Sequence, residues 1–173
     1  MKTTNETKEL LTKLRGTDTK TVLAAIESFR ALGTVDILTE FIEIVFSSKD
    51  SEVVEKGTKV LYDIKDEKAV KIIFNCINDH KYSAVQTQLT AILWEAGMNC
   101  DDRLEDLVNL SIKGSTDTVL EALTVIENID ASYSFDAITE LKMNIIEEIE
   151  ESDDELKNQL LNSLCQVLEG MIG

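Results

Sequence analysis

The sequence predicts an all-α fold: a right-handed α-α superhelix, or solenoid, of about five helical hairpins and roughly ten helices, in a single domain over residues 1–173. Three observations predict it. The chain has no proline, the residue that most strongly interrupts helices. Its apolar residues recur at the offsets of one helical face rather than with the alternation of a strand. The same apolar rhythm returns along the chain at shifts of 32, 32, 33 and 38 residues, and repetition at such a period marks stacked supersecondary units.

The rhythm begins with Thr21, Ala25, Ile26, Ser28, Phe29 and Leu32. Its copies are Val53, Gly57, Thr58, Val60, Leu61 and Ile64, then Val85, Leu89, Thr90, Ile92, Leu93 and Ala96. Thr118, Ala122, Leu123, Val125, Ile126 and Ile129 follow, and then Leu156, Leu160, Leu161, Ser163, Leu164 and Val167. Each copy is the first helix of a hairpin. A short break follows ("LGTVD", "IKDEK", "AGMNCDD", "IDASYSF"), then a second helix near 36–47, 67–79, 102–113 or 135–151. The core sets of the second helices also align: Ile37, Phe41, Ile42 and Val45; Ala69, Ile73, Phe74 and Ile77; Leu107, Val108 and Ser111; Leu141 and Ile145.

Gly33 and Gly97 stand where a helix end favours a left-handed residue. Asp18, Asp50 or Ser51, Ser83, Asp117 and Ser152 are the expected N-caps of the first helices. Residues 3–14 form a half-repeat, and the repeats lie near 18–47, 51–79, 83–113, 117–151 and 153–169. No helix of this kind can bury its stripe alone, so each must lie on its neighbours.

The stretches "VLAAIESFRALGTVDILTEFI" (22–42), "VVEKGTKVLYDIKDEKAVKIIF" (53–74), "VQTQLTAILWEAG" (85–97) and "VLEALTVIENID" (119–130) resemble the HEAT-like repeat family in its short, armadillo-like form. The chain departs from that pattern in two ways. The proline that often follows the first helix is absent. The Arg that often follows the first Val is replaced by Val22, Val54, Gln86 and Val119. The tetratricopeptide family has a similar period, but its Gly and Tyr in the first helix and its closing Pro are not found here. The resemblance implies an α-solenoid, and for most such proteins a scaffold that binds other proteins. Some HEAT-like proteins are enzymes, notably base-excising glycosylases and bilin-attachment enzymes. The glycosylases hold DNA in a basic groove, which this chain's charge contradicts. An enzyme or enzyme accessory of the bilin-lyase kind is the alternative reading, and colour on incubation with a tetrapyrrole would reveal it.

The net charge is −16, and it is uneven. Residues 1–82 hold 14 acids and 13 bases, whereas residues 83–173 hold 19 acids and 4 bases. Such a field repels nucleic acid and anionic lipid, which are bound mainly through Lys and Arg, and attracts a basic protein surface. The N-terminus "MKTTNETKELL" has no apolar signal segment, and no apolar run approaches the length of a membrane span. The three cysteines, Cys76, Cys100 and Cys165, form no CxxC pair and no disulfide framework, as in a reducing compartment. A cytoplasmic location is expected, with no nucleic-acid or membrane partner.

Catalysis is not expected. The single histidine, His80, lies in the turn before the third repeat, about 20 Å of helix from Cys100, too far to serve it as a base. The acidic runs "DDRLEDL" and "EESDDELK" lack the spacing of a calcium loop, and no glycine-rich phosphate motif is present. No metal and no cofactor is expected.

One constellation points to binding. Aligned positions of the second helices hold Asp36, Lys68, Asp102 and Asp136, and one turn later Glu40, Ile72, Asp106 and Glu140. In a solenoid the second helices line the concave face, so these carboxylates would form a ladder, broken at Lys68 and Ile72, that accepts Lys or Arg from a basic protein partner. The plainer reading is a solvated acidic helix face. A secondary surface is Tyr62 with Trp94, at one offset of consecutive first helices, with Arg30 before and Glu127 after. The chain is expected to be a monomer or weak homo-oligomer, and self-association would use an uncovered stripe on the last helix, Leu156 to Leu168.

Overall fold

The computed structural model of the chain describes residues 5–32 and 35–173. Ten α-helices lie among them: α1 (Asn5–Leu14), α2 (Thr19–Leu32), α3 (Leu38–Ser47), α4 (Ser51–Tyr62), α5 (Lys68–Ile77), α6 (Gln86–Glu95), α7 (Leu104–Lys113), α8 (Thr116–Glu127), α9 (Phe135–Glu151) and α10 (Glu155–Gly170). A 3₁₀ helix, His80–Val85, leads into α6. The described residues hold no sheet, only an isolated bridge between Tyr133 and Ile172. The described residues are therefore all-α.

The residues form two compact units, Met1–Val85 with Glu95–Met98, and Gln86–Trp94 with Asn99–Gly173. Within the first unit α3 touches both α1 and α5, and α2 touches α4; α1 also touches α2, and α3 touches α4. The second unit repeats the scheme, with α7 against α9, α8 against α10, and cross-contacts from α7 to α8 and α9 to α10.

The aligned second-helix positions are the core. Ile37, Phe41, Ile42, Val45, Ala69, Ile73, Phe74 and Ile77 are buried in the first unit, where the rings of Phe29 and Phe41 stack with centroids 3.8 Å apart. Leu107, Val108, Ser111, Leu141 and Ile145 are buried in the second. The first-helix register holds in α4, α6 and α8, whose aligned residues are buried or half-buried. It fails in part in α2 and α10. Thr21, Ser28 and Leu32 are exposed, and so are Leu156 and Ser163. In α2 the hydroxyl and amide of Thr21 are bound to the Asp18 carboxylate at 2.6 and 2.9 Å. Val22 takes the buried place instead.

Helix starts follow capping chemistry. Asp18 and Asp50 cap α2 and α4 as the sequence suggests, accepting from the amides of Thr21 and Glu52. Three expectations shift. Ser83 lies inside the 3₁₀ helix. Ser115, not Asp117, caps α8 through the Thr118 amide. Asp154, not Ser152, caps α10 through the Lys157 amide. Asp117 lies inside α8, one residue past its start, so Ser115 holds the capping place, and Asp154 stands directly before α10, two residues nearer than Ser152. Gly97 has φ +62° as expected of a left-handed residue, while Gly33 lies outside the described residues.

Two of these caps also tie neighbouring first helices together. Thr19, the first residue of α2, donates its hydroxyl to the Asp50 cap of α4 at 2.7 Å. Thr116, the first residue of α8, donates to the Asp154 cap of α10 at 2.9 Å. One carboxylate oxygen takes the helix amide and the other takes the neighbour's hydroxyl. The same clasp therefore occurs once in each unit.

These bonds hold the carboxyls below their usual range. The Thr21 hydroxyl does so for Asp18, the Thr19 hydroxyl for Asp50, and the Lys157 amide followed by the Thr116 hydroxyl for Asp154. A depressed folded-state pKa stabilises the fold above the unfolded value, about 3.9 for Asp. That contribution is lost as the pH falls through the lower folded value. Thermal midpoints are expected to drop below about pH 4, with a shallower acid limb in a variant carrying Asp50→Asn and Asp154→Asn.

Gly57 has a different job. A Cβ there would stand 2.4 Å from Cγ2 of the fully buried Val45, so α4 approaches α3 only because the side chain is missing. Gly57→Ala should lower stability by about 1–3 kcal/mol through overpacking, more than its gain in helix propensity returns; chemical denaturation measures the difference.

Candidate functional site

The second unit gathers part of the expected carboxylate ladder. Asp102 and Glu140 line one cleft of about 320 Å³, together with Asp101, Glu105, Tyr133 and Asn144. Its floor is apolar, from Leu104 and Leu141. Asp101 and Asp102 come from the turn before α7, and Glu140 comes from α9.

Tyr133 fixes the cleft's geometry. Its hydroxyl donates to the Asp101 carbonyl at 2.5 Å. Its own amide donates to the Met171 carbonyl at 2.9 Å, and its carbonyl accepts from Gly173 at 3.2 Å. The Asp101 carboxylate is committed to the loop, accepting from the Asn99 side-chain amide at 3.0 Å and the Asp130 backbone amide at 3.2 Å. Asp102, Glu105 and Glu140, all exposed, give the cleft its sign.

The other members of the ladder part company. Asp106 turns to Arg103, 3.3 Å away, and Arg103 also lies 3.4 Å from Asp102. This cation escapes a reading of aligned positions, because it sits between them. The signal was available in Ile37, which stands at the matching place before α3. Ile37 has φ −120° and ψ 20°, and Arg103 has φ −121° and ψ 12°. Where Ile37 is buried, Arg103 is half-buried, as expected when an aliphatic stem packs and a charged head reaches out. Asp136 is exposed in the first turn of α9 and is not among the residues lining the cleft. In the first unit Asp36 precedes α3, Glu40 lies in its first turn, and Lys68 begins α5. Most of these acids stand at helix N-termini, where the helix dipole favours negative charge.

Tyr62 ends α4 and is half-buried. Arg30 pairs at 2.5 Å with Asp63, the next residue. Trp94, also half-buried, donates its indole N–H to Glu121 of α8 at 2.6 Å, so the acid it meets is Glu121 rather than Glu127. The expected stripe on the last helix is largely covered: Leu161, Leu164 and Leu168 are buried, Leu160 and Val167 half-buried, and of its apolar residues Leu156 alone is exposed.

His80 is exposed at the start of the 3₁₀ helix. Cys76 and Cys100 are buried and Cys165 partly so, all as free thiols. Burial, with Asp102 and Asp101 adding repulsion, pushes the Cys100 thiol up to about 12, so it is not a thiolate at neutral pH. Among the described residues no group of three or more His, Cys, Asp or Glu side chains could hold a metal ion, and no helix is long and apolar enough to cross a membrane.

Comparison with protein-family models, with curated proteins and with solved structures finds no match.

Tyr133→Phe removes the donor on the Asp101 carbonyl and should cost about 0.5–1.5 kcal/mol. Trp94, the only tryptophan, reports from the same unit, so denaturation followed by its emission measures the loss.

Proposed function

We propose that the chain is a non-catalytic protein-interaction scaffold, cytoplasmic, built as a right-handed α-α superhelix of short HEAT-like hairpins. It binds a protein with a basic surface on the second-helix face. Support for the architecture comes from each unit separately, where second helices lie beside second helices and first beside first. The binding reading is carried by the cleft between α7 and α9, in which Asp102, Glu105 and Glu140 surround an apolar floor.

Such a site suits Lys or Arg. The carboxylates draw the cation in, and the apolar floor packs its methylene stem.

Charge reversal at Asp102, Asp106 and Glu140 together is the test. It should abolish capture of protein partners from a lysate of the native host. Because the change also removes both acids that Arg103 meets, circular dichroism checks that the variant folds, and Glu140→Lys alone, which leaves that pair intact, should weaken capture in the same direction. Unaltered capture would show that the cleft is only a solvated face.

A further inference from the structure

The longest helix, α9, carries two apolar stripes, and only one is covered. Ile138, Leu141 and Ile145 are buried, while Phe135, Met143 and Ile146 are 66, 58 and 45% exposed. At about 100° per residue, Phe135, Thr139, Met143 and Ile146 fall within an arc of about 80°, and they run for about 17 Å along the axis. Three large apolar side chains held in water on one face mark an interaction surface rather than scattered exposure.

The surroundings of this stripe identify what it takes. Along one flank runs an acidic row of Asp136, Glu140, Glu147 and Glu151, and Glu150 closes the C-terminal end of the stripe, all five exposed. No cation among the described residues pairs with any of them: Lys142 is held by Glu169 on the opposite flank, and Lys157 by Glu148 at 2.7 Å. A second copy of the chain is a poor occupant, because it brings the same acidic row and the same excess of negative charge.

We propose that the exposed face of α9 docks a basic amphipathic helix of a partner protein, whose apolar side covers Phe135, Met143 and Ile146 and whose Lys or Arg flank lies along the acidic row. This deepens the scaffold reading and rests on it. Phe and Met suit the task, since a flexible thioether and a flat ring adapt to a helix surface.

The probe is a fluorescein-labelled synthetic peptide of Leu and Lys, patterned as an amphipathic helix of about five turns, read by anisotropy. Its control has every Lys replaced by Glu. The Leu/Lys peptide should bind and the Leu/Glu peptide should not. The variant Phe135→Ser with Ile146→Ser should weaken binding by about tenfold or more, and Glu147→Lys with Glu150→Lys should weaken it and flatten its salt dependence. Both pairs are exposed, and circular dichroism checks that the variants fold.

Failure of the Leu/Lys peptide to bind overturns the proposal. So does binding that survives loss of Phe135 and Ile146; if that binding is abolished by reversing Asp102, Asp106 and Glu140, the cleft stands and the α9 face falls. Indifference to both sets overturns both. A dimer in sedimentation that Phe135→Ser with Ile146→Ser turns into monomer, or cosedimentation with phosphatidylcholine vesicles that the same change removes, would assign the face to a second copy or to lipid and overturn the proposal likewise.

Discussion

Everything in this molecule depends on short helices having to be covered by other short helices. Most of the ten are 10–14 residues long, a length at which an isolated helix is marginal in water. Propensity does not hold them, since β-branched residues fill many of their interiors. Packing does. Apolar stripes find complements both on the next helix in the chain, as in α1 with α2 and α7 with α8, and on the helix after it, as in α3 with α1 and α5 and α2 with α4. The tolerance at these contacts is tight, because α4 meets α3 through a position that has room for no side chain at all, Gly57 against Val45.

Polar chemistry refines the same arrangement. A helix cap satisfies an amide of its own helix. In Asp50 and Asp154 the second carboxylate oxygen is turned to the neighbouring helix's first residue. A local start signal thereby also sets how far one hairpin slides along the next. Arg103 does comparable work at the head of α7, where its stem replaces an apolar side chain and its guanidinium lies between two acids.

The buried second-helix residues were legible from alignment alone, because a buried stripe repeated at a constant shift leaves the same letters in the same places. The ends of the repeat series were less legible. In α2 the first-turn Thr21 binds the cap and Val22 is buried in its stead. Cap identity slipped at Ser115 and Asp154 because several short polar residues compete within each turn, and only backbone geometry ranks them. The alignment sets Asp102 level with Asp136 and Asp106 level with Glu140, whereas the cleft is lined by Asp102 and Glu140, and the diversion of Asp106 to Arg103 was not legible. The face of α9 escaped notice for a different reason. The alignment between repeats places only Leu141 and Ile145 of this helix in the core, and it gives Phe135, Met143 and Ile146 no place at all. Their separation into two faces appears only when the exposed residues of a single helix are placed by angle.

The charge asymmetry and the apolar face of α9 belong to one argument. Residues 83–173 contain only four bases, Arg103, Lys113, Lys142 and Lys157. Arg103 is held by Asp102 and Asp106, Lys142 by Glu169, and Lys157 by Glu148 and by the Ile112 carbonyl at 2.7 Å. Three of the four thus close contacts within the fold and do little to offset the surplus acid. A field of that kind steers a basic partner from a distance, but at physiological salt it is screened over about 8 Å and contributes more to encounter than to residence. Residence requires apolar area that leaves water on contact. The acidic row of α9 and the stripe beside it place both contributions on one helix, so that in the proposed docking a partner drawn by the charge would arrive directly against the apolar surface.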